Sequence, residues 1–380
     1  MTGDRTDLSA ATLLAHGGVP PADSTGAVLP ALQFSTTFLR EADNSYRNGR
    51  VYARDDNPTF ELPERLVCRL EGGFEARLFS SGMAAATSLF MALRPGDHVV
   101  APKVMYWALR HWLKGPASDW GLNVDFADLS DPDSLQAALI PRRTKLLWVE
   151  TPANPTWSIT DIQFAAQAAH AAGAILAVDS SASTPLITRP IALGADFVMH
   201  SCTKYLNGHD NAVSGMLVAA GPSELWERAK SLRRGNGSIP GSLDAWLLLN
   251  GMRTLAVRLE RACSSAMTVA KEMSSHRHIE QVLYPGLPDH PGHAIAKRQM
   301  SMFGGMLSLV VRGGAEGAIA AAANMTIWRR ATSFGGPESL VEHRRSIEGD
   351  DSPAAPGLLR LSTGLEDPVD LLGDLRRALG

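Results

Sequence analysis

The chain has 380 residues, 45% of them hydrophobic and 20% charged, with a formal net charge of −3. That length is more than one ordinary core needs, so about two domains are expected, and the small net charge gives no reason to expect nucleic acid or an anionic membrane as partner. The 3 cysteines, Cys68, Cys202 and Cys263, are far apart with no CxxC pair, which indicates neither a disulfide framework nor a zinc site and fits a reducing cytoplasm. No run approaches the roughly 20 apolar residues of a membrane span, and the N-terminus lacks a secretory apolar region, so a soluble protein is expected.

In chain order, residues 1–57 are polar, rich in Gly, Pro, Thr and Arg, and lack periodicity, which predicts an extended arm that packs on something else. From Ala76 to Ala220 short apolar runs alternate with Ala-rich amphipathic segments, the pattern of a mostly parallel sheet covered by helices. Strands are predicted at 98–101, 124–127, 146–150, 175–179, 197–200 and 216–219. Helices are predicted at 83–93, 106–113 and 162–172, the last capped by Asp161 and closed by Gly173. Residues 243–275 are helix formers broken only by Gly251. Strands at 306–311 and 358–363, an Ala-rich helix at 315–323 and a final helix at 369–379 complete a smaller α/β unit. The expected boundaries are 1–57, 58–240 and 241–380.

The residues that carry chemistry sit at the ends of these elements. Ser201-Cys202-Thr203-Lys204-Tyr205-Leu206-Asn207-Gly208-His209 places a lysine among hydroxyls and glycine after an apolar strand, which suits a Schiff base to pyridoxal phosphate. Read alone, Lys204 is one solvated lysine in a turn. Ser81-Gly82-Met83 opens a helix, whose free N–H groups form an anion site or merely a cap. Asp179 ends a strand where a carboxylate faces the crevice of a parallel sheet, and there it would pair with a pyridine nitrogen. Tyr106 either stacks on a planar ring or packs in the core. Asn154, in Glu150-Thr151-Pro152-Ala153-Asn154-Pro155, either donates to a ligand or makes an Asn-Pro turn.

Together with Tyr52-Ala53-Arg54, Asn57-Pro58-Thr59, Ser333-Phe334-Gly335-Gly336-Pro337-Glu338-Ser339-Leu340 and Arg360-Leu361-Ser362-Thr363-Gly364-Leu365-Glu366-Asp367, these motifs resemble, in order and over nearly the whole chain, the Cys/Met metabolism family of pyridoxal-phosphate enzymes. The resemblance implies the fold type I of pyridoxal-phosphate transferases, aspartate aminotransferase-like, with residues 58–240 as the cofactor-binding domain. It makes Lys204 the covalent anchor and the base, Asp179 the pyridinium partner and Tyr106 the stacking ring. Gly82, Met83, Ser81, Ser201 and Thr203 would hold the phosphate, with Tyr52 and Arg54 from a neighbouring subunit of a homotetramer. Arg360 would grip the substrate α-carboxylate, helped by Asn154 and Ser333, and Tyr106 or Tyr52 would serve as acid.

Several positions depart from the better-known members. Arg110 stands one residue from where many members carry an arginine for a distal carboxylate, and Thr332 replaces a glutamate that precedes Ser333. Asp210 follows His209 where a serine is usual, and Ser180 makes the run after Asp179 more polar. The implied activity is γ-elimination or γ-replacement on an amino acid, as in cystathionine γ-synthase and γ-lyase, with an unusual γ-substituted or unsaturated substrate of secondary metabolism as the specialised form. β-Elimination, as in cystathionine β-lyase, is the alternative, and a non-catalytic cofactor-binding homologue is a remote one. No metal is expected.

Overall fold

A computed structural model of the chain describes residues 8–17 and 26–380; the parts of the expected arm at 1–7 and 18–25 lie outside them. Seven strands form the larger sheet: β1 (Glu75–Phe79), β2 (His98–Pro102), β3 (Asn123–Ala127), β4 (Thr144–Glu150), β5 (Ile175–Asp179), β6 (Phe197–Ser201) and β7 (Gly215–Ala219). Their order is β1-β7-β6-β5-β4-β2-β3. Strands β2 to β6 run parallel, and β7 is antiparallel to both β6 and β1.

A parallel sheet must be covered on both faces, and the alternation along its strands shows how. Leu146, Trp148 and Ala177 pack with Ala85, Leu89 and Phe90 of helix Gly82–Met91. Leu147, Val149, Leu176 and Val178 point the other way, onto Ala165, Ala166 and Ala169 of helix Ile162–Ala172. The second sheet consists of β8 (Ile279–Leu283), β9 (Met306–Val311), β10 (Arg329–Arg330), β11 (Leu340–His343) and β12 (Leu358–Ser362), ordered β10-β11-β12-β9-β8. Its Leu307, Leu309, Leu359 and Leu361 are buried against helices Leu255–Met273 and Pro368–Leu379. The α/β class, the mostly parallel sheet and the smaller second sheet are as expected.

Some elements differ from the sequence reading. The arm contains a helix, Ala10–Ala15, capped by Ser9, whose Leu14 is fully buried in the main core. Helix Pro58–Glu71, strand β1 and helix Glu224–Gly235 are additional to the predicted elements. The stretch 243–275 divides into Ser242–Met252 and Leu255–Met273, so the break falls at Arg253-Thr254 and Gly251 is helical. Helix Ser242–Met252 packs on helix Pro58–Glu71 through Ala245, Leu248 and Leu249. Among the described residues no helix is long and apolar enough to cross a membrane.

Candidate active site

Parallel strands deliver their C-terminal residues to one edge of the sheet, and the chemistry-bearing residues collect there. Glu150 ends β4 and Asp179 ends β5, paired in register on adjacent strands, while Ser201 ends β6. These three residues, with Ser81, Gly82, Met83, Tyr106, Asn154, Thr203, Lys204, Thr332, Ser333 and Arg360, line one cavity of about 410 Å³. Glu150 braces its wall: Oε2 accepts from the Tyr106 N–H at 2.7 Å and Oε1 from the Asn154 N–H at 2.9 Å. Burial, with Asp179 adding repulsion, raises the Glu150 carboxyl to about 8.

The residues present fit pyridoxal phosphate at both of its ends. At helix Gly82–Met91, Ser81 Oγ accepts the Ala84 N–H at 3.0 Å and the Ser81 carbonyl takes the Ala85 N–H. The Gly82 and Met83 N–H groups meet no acceptor among the described residues, which leaves an anion site at the helix start. Glycine is required there because a Cβ on Gly82 would stand 2.8 Å from Ser201 Cβ and 2.9 Å from its Oγ. Thr203 is less free than expected: its Oγ1 donates to the Ser214 carbonyl at 3.2 Å, so its one proton is already used. At the other end Asp179 Oδ1 accepts from the Ser181 N–H at 2.9 Å, and the carboxylate lines the cavity. Burial raises the Asp179 pKa, opposed by the Ser181 hydrogen bonds and by His200. A buried carboxylate facing the cavity is matched by a protonated ring nitrogen.

Ser333 joins the amine to the guanidinium. Lys204 Nζ donates to Ser333 Oγ at 2.7 Å, and Arg360 Nη2 donates to the Ser333 carbonyl at 3.0 Å. Ser333 holds a φ of +89°, a conformation that non-glycine residues adopt only where their surroundings enforce it. Phe334 lies beneath both cations, its ring 5.1 Å from Lys204 Nζ and 6.0 Å from Arg360 Cζ. Burial and then Arg360 lower the Lys204 amine to about 8, partly offset by Asp210 and Glu342. Arg360 also donates to Asn154 Oδ1 at 3.3 Å and to Glu342 Oε2 at 2.7 Å.

Three residues named from the sequence lie elsewhere. Tyr52 and Arg54 sit on the exposed arm, with the Arg54 guanidinium 5.5 Å from the Tyr52 ring, and neither lines the cavity of its own chain. Arg110 is turned out of the cavity and donates to the Asp351 carbonyl at 3.2 Å. On helix Trp107–Trp112 one residue is a rotation of about 100°, so Ala108 and Leu109 face the cavity and the next side chain does not. Sequence reasoning missed Glu150, Phe334 and Arg344 as cavity residues. Glu150 and Phe334 fall inside quoted motifs and were within reach, whereas nothing local marks Arg344.

Residues 11–380 match the family model described as Cys/Met metabolism PLP-dependent enzyme. The cystathionine gamma-synthase of Mycobacterium tuberculosis is 42% identical, covering 100% of this chain and 99% of that protein. A cystathionine beta-lyase of Coxiella burnetii is 37% identical over 97% of both. The crystal structure of metB from Corynebacterium glutamicum superposes with a TM-score of 0.95 at 39% identity, covering 99% of each chain. The lysine, the paired strand-end carboxylates, the open helix start and the buried arginine thus stand in a chain that belongs to the Cys/Met metabolism family of pyridoxal-phosphate-dependent enzymes.

Proposed function

We propose that this enzyme of the trans-sulfuration type carries out γ-elimination or γ-replacement on an amino acid whose γ-substituent is uncharged. The observation that carries the reading is Ser333, which touches the amine of Lys204 and the guanidinium of Arg360 at once. A carboxylate gripped by Arg360 would bring the substrate α-carbon beside the amine that must move its protons. Asp179, Gly82, Met83 and Ser201 would hold pyridoxal phosphate, which supplies an electron sink for charge developed at the α-carbon.

The chain's own groups suit the remaining work. An amine lowered to about 8 by burial and by Arg360 is unprotonated in about one molecule in ten at neutral pH, far more than an ordinary lysine. Lys204 would take the proton from the α-carbon, release it to the bound cofactor and, neutral again, take one from the β-carbon. Burial raises the Tyr106 phenol above its usual value, while Arg344 and Arg360 pull it back, so it stays protonated and can hand its proton to a leaving group. Trp107, Leu109, Val213 and Ile347 give the cavity an apolar wall, which favours an uncharged substituent over a second amino-acid moiety. Tyr52 and Arg54, exposed and away from their own cavity, suit completion of a neighbour's site in a homotetramer.

Product analysis with γ- and β-substituted amino acids tests the assignment. γ-Chemistry releases a four-carbon 2-oxo acid or a γ-exchanged amino acid, whereas pyruvate as the only product would overturn it in favour of β-elimination. Lys204→Ala should lose the visible absorption of the cofactor-loaded protein. Light scattering tests the assembly, and an active monomer would contradict the roles of Tyr52 and Arg54.

A further inference from the structure

Behind Arg360 runs a row of buried charges that the proposed chemistry does not use. Glu342 on β11 is in register with Arg360 on β12, so the two side chains stand directly opposite on one face of the second sheet. Glu342 Oε2 accepts from Arg360 Nη2 at 2.7 Å and also from Arg344 Nη1. Arg344 Nε and Nη2 in turn donate to Glu348 Oε1 at 3.0 and 2.6 Å, and Ser352 Oγ donates to Glu348 Oε2 at 2.5 Å. The row reads Arg360, Glu342, Arg344, Glu348, with alternating sign and no net charge. All four are nearly inaccessible, between 3% and 8% exposed.

We infer that Glu342 is a positioning residue that holds the Arg360 guanidinium in the orientation needed to receive the substrate carboxylate, and that Arg344 and Glu348 hold Glu342. The inference rests on the reading of Arg360 as the carboxylate grip. Both hydrogens of Arg360 Nη2 are committed, one to the Ser333 carbonyl and one to Glu342, which fixes the plane of the group. Arg360 and Arg344 both line the cavity, whereas Glu342 does not, so it acts only through its neighbours. Without its charge the two guanidinium groups would face each other unscreened in a buried setting, where like charges repel strongly. Arg360 would then turn from the cavity, and the pre-orientation that makes a clamp effective would be lost.

The test uses the pyridoxal-phosphate-loaded protein and two probes, L-norvaline and butylamine, which is norvaline without its carboxyl group. Dissociation constants are read from the change in visible absorbance. Glu342→Gln should weaken norvaline about tenfold or more, the loss expected for a charged hydrogen bond, and leave butylamine within about twofold, since no carboxylate is involved. Glu342→Asp, which keeps the charge but shortens the reach, should fall between. A merely structural role would weaken both probes together. Arg360→Ala separates the two ideas: if it leaves the norvaline-to-butylamine ratio unchanged, the carboxylate grip itself fails. If it collapses the ratio while both Glu342 variants keep it, the grip stands and the positioning role is overturned. Should Glu342→Gln bind neither probe, Glu342→Asp decides by the same ratio.

Discussion

Gly251→Ala should destabilise this protein, although helix propensity alone says the reverse. Gly251 is inside helix Ser242–Met252, where alanine is favoured over glycine by about 1 kcal/mol. A Cβ there would lie 2.8 Å from the Asn207 carbonyl carbon, 2.9 Å from its Cα, and closer still to its oxygen. Carbon atoms normally rest about 3.5–4.0 Å apart, so helix and turn must separate by more than half an ångström. The neighbour is backbone and cannot swing aside, which puts the cost at the upper end of the roughly 1–3 kcal/mol of overpacking. The balance is a net loss of about 2 kcal/mol.

The displacement would reach the site. Gly208 N–H bonds the Lys204 carbonyl at 2.8 Å, and Arg258 ties the Tyr205 carbonyl at 3.0 Å to the Gly251 carbonyl at 2.7 Å. Urea denaturation of cofactor-free and cofactor-loaded protein reads the stability, and equilibrium binding reads the cofactor affinity, which should fall with it. A Gly251→Ala variant as stable as the parent, or more so, would show that the close approach does not constrain this turn.

Other perturbations have equally definite signs. Ser81→Ala removes the cap on the Ala84 N–H and should cost about 1 kcal/mol of stability, together with a weaker phosphate affinity measurable by titration. In the cofactor-free protein Lys204 titrates near 8 against 10.5 when unfolded, so between those values only the unfolded chain holds the proton. Stability should therefore rise with pH across that window, and Lys204→Met should abolish the rise in urea midpoints. Glu150 behaves oppositely: its folded-state carboxyl keeps a proton from 4.5 to about 8 that the unfolded chain releases, so stability falls as pH rises. Glu150→Gln should flatten that fall and, with only one acceptor for two N–H groups, loosen Tyr106 or Asn154. An unchanged circular dichroism of the bound cofactor in this variant would refute the bracing role.

Several features were legible because their causes are local. Asp161 accepts from the Phe164 N–H and Gly173 takes a φ of +78°, the start and stop that caps alone predict. The apolar runs of β4, β5 and β6 and the polar residues that end them mark the sheet edge where Asp179 and Ser201 stand. β1 was harder to read because Glu75 and Arg77 interrupt its apolar pattern. Glu75 finds its partners on a helix distant in sequence, Trp226 and Lys230, and Arg77 meets Glu64 of the preceding helix. Gly251 reads as a helix breaker because the turn that crowds it lies more than forty residues earlier in the chain.

The strand-end chemistry is written locally along the chain: which residue closes each strand, which serine opens the helix, and which lysine follows the last parallel strand. Spacing along one element settles such questions, since it fixes the face and the end on which a side chain lies. Which charges meet follows from the folded packing alone. It turned Arg110 outward by one helical step, and it set Glu342 opposite Arg360 with Arg344 and Glu348 behind. Strand register and helix rotation are products of packing across the whole core, and no stretch of sequence contains them alone.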